Sequence, residues 1–99
     1  MPGGVPDLTP RYSLDWSAAQ NWVDRVGDLP KYIASVATAL IDDAGMDRAH
    51  AIATAVNTVR IWCETGIARN LKGNPKVSPA VRAAACANYE EWKAKVAAA

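Results

Sequence analysis

Residues 47–66 read DRAHAIATAVNTVRIWCETG, and this stretch decides the fold. Asp47 supplies an N-cap oxygen just ahead of a periodic run, and Gly66 supplies the small residue that closes a helix. Between them Ile52, Val56, Val59 and Cys63 recur at helical spacing, with Ala49, Ala55 and Trp62 beside them. Ala49, Ala51, Ala53 and Ala55 form a run of small residues that allows close approach by a neighbouring helix. The stretch predicts the longest helix of the chain.

The flanks continue the helical pattern. Upstream, Ile33, Val36, Ala37 and Leu40 form a stripe that starts near Leu29-Pro30, with Asp28 as a nearby capping oxygen. It closes at Asp42-Asp43-Ala44-Gly45, where two acidic groups sit against the helix dipole. Further upstream, Ala19, Trp22, Val23 and Val26 predict a short helix from Ser17 to about Val26, ended by Gly27. Downstream, residues 66–77 read as a loop, rich in Gly66, Gly73, Asn74 and Pro75. Ser78-Pro79 then signals a helix start, followed by Val81, Ala85, Tyr89, Trp92 and Val96 on one face. Strands alternating with helices are missing from the pattern, which predicts an all-α fold: a small three- to four-helix bundle.

The N-terminus reads differently. Residues 1–11 hold three prolines and two glycines, and Tyr12, Leu14 and Trp16 alternate with polar residues. The expected division is an extended arm at 1–16 and a helical domain at 17–99. Tyr12, Leu14, Trp16 and Trp22 are candidate partner-binding residues, because amphipathic aromatics outside a main core are common interface anchors. The alternative is that they cover the domain's own base.

The bulk numbers suit a single domain: 99 residues, 51% hydrophobic, 21% charged, formal charge +1. Such a chain buries a modest core, and a partner or self-association adds burial. The charge is uneven. Residues 1–50 carry four basic and seven acidic side chains, residues 51–99 seven and three. That asymmetry suits an acidic partner surface or head-to-tail contact. Arg69, Lys72 and Lys76 place cations in the predicted loop and complete the candidate contact set. Stretches of about 18 consecutive apolar residues, as a membrane span needs, do not occur, nor does a signal-peptide pattern.

Chemistry has little to stand on in this sequence. His50 stands by itself near Asp47, and the pairs Asp42-Asp43 and Glu90-Glu91 are sequence neighbours that do not face each other on a helix. His50, Cys63 and Cys86 lack a recognised zinc spacing. The expectation is no catalytic site, no metal and no cofactor. Cys63 and Cys86 read as two buried free thiols in a reducing compartment, with one interhelical bridge as the alternative. Ile33–Arg60 has the outline of a helix-turn-helix, but Ile41 is bulky where a small residue is expected, and the second helix carries only Arg48 and Arg60 as cations. Nucleic acid is disfavoured on that count.

Leu29-Pro30-Lys31-Tyr32-Ile33, Val36-Ala37, Gly45, Ala51-Ile52-Ala53, Ala55-Val56, Val59-Arg60, Trp62, Val77-Ser78-Pro79, Ala83-Ala84-Ala85 and Glu91-Trp92 together resemble a helical module of actinobacterial tailed phages. That module is found in the head-assembly region, as a small separate protein or at the end of larger head proteins. The resemblance covers about residues 29–95. It implies a minor capsid, decoration or head-assembly protein that binds the major capsid protein or another virion protein, located in the virion or the host cytoplasm. In that picture Tyr12, Leu14 and Trp16 anchor the arm while Arg69, Lys72 and Lys76 meet an acidic shell. The competing readings are a helix-turn-helix-like DNA-binding regulator and a cytosolic interaction adaptor.

Overall fold

The computed structural model describes residues 16–68 and 71–98. Four α-helices make up the described residues: α1 (Trp16–Gln20), α2 (Lys31–Asp42), α3 (Arg48–Thr65) and α4 (Pro79–Ala98). A 3₁₀ turn at Val26–Asp28 leads into α2. The expected all-α architecture is what the chain adopts, with an isolated bridge Ile67–Lys76 as the one β-type pairing among the described residues.

The long helix is the centre. Asp47 accepts the His50 backbone N–H at 3.3 Å, and Gly66 closes the helix at φ +69° with its N–H on the Trp62 carbonyl. Both caps are those the sequence predicts. Between them Ala49, Ala51, Ile52, Ala53, Ala55, Thr58 and Val59 are buried, because α3 packs against α1, α2 and α4 alike. The alanines at 49, 51, 53 and 55 make this possible: larger side chains there would hold the neighbouring backbones apart.

The core gathers Ile33 and Ala37 from α2, Ile52, Ala55 and Val59 from α3, and Ala85 and Trp92 from α4. The N-terminal segment closes it. Ala18, Ala19, Trp22 and Leu29 are buried, and the Trp22 ring lies 5.7 Å from that of Trp92 in a tilted pair. Such a pair adds roughly 0.5–1.5 kcal/mol beyond its area burial. The Arg25 guanidinium covers the Trp22 ring at 4.1 Å from its centroid.

The first helix is shorter than the pattern predicts. It stops at Gln20 instead of about Val26, and the chain continues through three-residue turns, Trp22 N–H to Ala19 O, Arg25 N–H to Trp22 O and Asp28 N–H to Arg25 O. The Val23 carbonyl accepts from the Arg48 guanidinium of α3 at 3.0 Å. That tertiary bond and the Trp22–Trp92 contact hold a tighter path than an α-helix allows. Gly27 therefore lies within the 3₁₀ turn and does not end an α-helix.

The start of α2 also differs. Pro30 occupies the N-cap and makes no side-chain cap bond, and Asp28 is part of the 3₁₀ turn. The orphan N–H of Tyr32 is met instead from α4, by Asn88 Oδ1 at 2.7 Å. Asn88 in turn donates through Nδ2 to the Ala84 carbonyl at 2.8 Å. At the other end, Gly45 at φ +66° lets Met46 N–H reach the Leu40 carbonyl at 3.0 Å, closing the helix despite its acidic pair. On α4, Glu90 and Glu91 pair with Lys93 and Lys95. The hydrogen bond that Lys93 donates to the Glu90 carboxylate raises its pKa above the ordinary ammonium value.

Asn88 caps a helix 56 residues away in sequence. We predict that Asn88→Ala lowers unfolding stability by about 1 kcal/mol, read from the urea midpoint. An unchanged midpoint would show that Tyr32 N–H is satisfied by water.

Candidate functional site

Most of the chain's special features meet where α3 ends and α4 begins. Cys63 and Cys86 form a disulfide there, with Cα atoms 4.7 Å apart. This corrects the expectation of two free thiols. An antiparallel α3–α4 pair brings the two cysteine positions into register, and the bridge joins the helices near the loop between them.

Arg82 lies one turn before Cys86 and finishes the same end. Its Nε donates to the Cys63 carbonyl at 2.9 Å and its terminal nitrogen to the Glu64 carbonyl at 3.0 Å. These are C-terminal carbonyls without partners inside α3, and a cation there also suits the helix dipole. A side chain on Gly66 would crowd the Arg82 guanidinium, meeting its atoms at 3.2–3.4 Å. Glycine thus serves this position twice, through its left-handed φ and through its size.

The connection 66–77 carries more order than a plain loop. Ala68 N–H bonds the Pro75 carbonyl at 2.8 Å and Val77 N–H bonds the Gly66 carbonyl at 2.9 Å, around the Ile67–Lys76 bridge. Thr65 Oγ1 accepts from Ile67 N–H and donates to the Ile61 carbonyl, turning the chain out of α3. Ser78 Oγ then accepts Val81 N–H at 3.1 Å and starts α4, as its sequence signal predicts. The hairpin displays Lys72, Lys76 and Leu71, the last 52% exposed.

Beside this clamp lies a groove of about 270 Å³ lined by Tyr32, Ser35, Val36, Trp62 and Val81. Its four large side chains are half-buried, and Tyr32 meets Trp62 edge-on at 6.2 Å. Each wall is pinned. Trp62 precedes Cys63 and Val81 precedes Arg82, so the disulfide and the guanidinium fix the α3 and α4 walls. Asn88 fixes the α2 wall through Tyr32. Across the first turn of α4, a second depression is lined by Thr65, Ile67, Lys76, Val77 and Arg82 among others.

The contact residues expected from sequence are only partly gathered here. Lys72 and Lys76 are exposed on the hairpin. Tyr12, Leu14, Arg69 and the Trp16 side chain lie outside the described residues, as do residues 1–15 of the expected arm, whereas the Trp16 backbone begins α1. Trp22 is 5% exposed and sits in the chain's own core, the covering role that was the alternative for it. His50 is exposed at the opposite end of α3. Groups of three or more potential metal ligands are absent among the described residues. The groove residues Tyr32, Val36 and Val81 and the clamp residues Arg82 and Asn88 escaped the sequence reading. Their signal was faint: a polar Asn88 within an apolar stripe, and Arg82 four residues before a cysteine.

Comparison with protein-family models, curated proteins and solved structures yields no match.

The bridge encloses a loop of sequence separation 23. We predict that replacing both cysteines by serine lowers stability by about 3 kcal/mol, measured by chemical denaturation. A loss below about 1 kcal/mol would mean that Arg82 and the core hold this end without it.

Proposed function

We propose that this chain is a non-enzymatic structural protein of a phage particle, a minor capsid, decoration or head-assembly component that binds the capsid shell. The observation that carries the binding part is the clamped end of α3 and α4. It presents a half-buried aromatic groove next to a hairpin bearing exposed Leu71, Lys72 and Lys76. Apolar side chains held partly open on a rigid frame are the usual makings of an interface. The phage part rests on the resemblance over residues 29–95.

The disulfide supports a particle over a cytosolic adaptor. Such bridges persist in oxidising surroundings, including virion surfaces, and are rare among proteins that work in the cytosol. The chain would fold in the host and acquire the bridge as the particle meets an oxidising medium. In addition, no helix among the described residues is long and apolar enough to cross a membrane.

The DNA-binding alternative fares less well. A recognition helix must offer its N-terminal side chains to a groove. The first two turns of α3 bury Ala49, Ala51, Ile52, Ala53 and Ala55 against neighbouring helices. Arg48 is committed to the Val23 carbonyl.

Mass spectrometry of purified particles tests the proposal. The expected result is the protein at a fixed copy number relative to the major capsid protein. Absence from both mature particles and head precursors would sink it. A salt titration against duplex DNA is the complementary measurement: binding that is tight at physiological salt and falls steeply as salt rises would favour the regulator reading.

A further inference from the structure

We propose that the groove lined by Tyr32, Ser35, Val36, Trp62 and Val81 takes a single apolar side chain from an acidic segment of a partner protein, with the surrounding cations reading that segment's carboxylates. The inference rests on the binding role proposed above and names the site and the chemistry of what occupies it.

Size comes first. Pockets for metabolites and cofactors run from about 300 to 1,000 Å³ and enclose most of their ligand. This groove, at about 270 Å³, is smaller and lies open between three helices. Its walls are a tryptophan, a tyrosine and two valines, with exposed Ser35 completing the lining. An aliphatic or aromatic anchor fits that lining, and a polar metabolite would leave its own groups unpaired there.

Charge then selects the partner. Lys31 immediately precedes Tyr32 and is exposed; Arg82 immediately follows Val81. Lys76 joins Arg82 in the depression across the first turn of α4, and Lys72 stands on the same hairpin. Among the described residues nearby, Glu64 is held by Arg60 at 3.0 Å, which leaves Asp28 as the opposing carboxylate. Asp42 and Asp43 share the outer face of α2 with Lys31 and lie about 17 Å along the helix from it. The α4 N-terminus adds the positive end of its dipole. A partner segment rich in Asp or Glu is drawn to this end, and one rich in Lys or Arg is repelled.

Nucleic acid would satisfy the cations but has no use for a groove lined by valine and a half-buried aromatic pair. The protein partner is therefore the one that accounts for both halves of the surface.

The test is a nitrogen-15 NMR titration of the full chain, with its disulfide intact, against three short amidated peptides. One is built of glutamate and alanine with a central leucine. A second replaces that leucine by serine, and a third replaces the glutamates by lysine. The expected result is shifts at Tyr32, Val36, Val81 and the Trp62 indole with the first peptide. The serine and lysine peptides should bind about tenfold more weakly or worse. Val36→Glu should abolish the shifts, and exposed Lys76→Glu should weaken binding and its salt dependence without altering the fold. Lack of shifts at the groove with the first peptide, equal binding of the lysine peptide, or the same residues responding to duplex DNA instead would each overturn the proposal. Failure here together with presence in particles leaves the structural-protein reading standing and removes the groove from it. Groove binding by a protein absent from particles does the reverse.

Discussion

The long helix α3 is enclosed by three others, and the way its two ends are finished organises this protein. The core of α3 is buried by α1, α2 and α4. The carbonyls of its last turn have no following turn to bond. Arg82 donates to two of them from α4, the Cys63 and Glu64 carbonyls, and the Cys63–Cys86 bridge makes the approach of the two helices permanent. The opposite end needs less help because Asp47 caps it locally. Asp47 closes the first end by itself, while at the second the Gly66 cap is backed by tertiary clamps. The clamped end carries the groove and the hairpin.

The alanine content follows from the same constraint. Ala49, Ala51, Ala53 and Ala55 give up side-chain burial so that neighbouring helices can come close. The apolar mass is supplied at the periphery by Trp22 and Trp92 on one side and Tyr32 and Trp62 on the other. The two aromatic pairs are not equivalent. Trp22 and Trp92 are each about 5% exposed or less and serve the core. Tyr32 and Trp62 are half-open and border the groove. A chain short of core volume gains stability from crosslinks, and this one places its crosslink next to the surface proposed to bind.

Elements whose signals are local were legible in the sequence. Asp47, Gly66 and Ser78-Pro79 act within one helical turn, and α3 starts and stops, and α4 starts, where those residues say. What depends on distant partners was not legible. The first helix ends early because Arg48 takes the Val23 carbonyl, 25 residues away, and α2 is capped by Asn88 in place of Asp28. Cys63 and Cys86 each lie in an apolar stripe, which describes a buried thiol and a bridge equally well until the helix register is known. Trp22 could not be assigned to core or surface for the same reason. The groove belongs to three helices at once, so along the chain Val36, Trp62 and Val81 read as members of separate helical stripes.

The disulfide and Arg82 clamp the groove end of the helical core. Hydrogen exchange on the oxidised and reduced protein tests it most directly. On reduction, faster exchange is expected at Gly66–Ala68, Leu71–Val77 and the first turns of α4, with the amides of Ile52–Val59 still protected. Uniform loss of protection across α3, or no change at the hairpin, would contradict it.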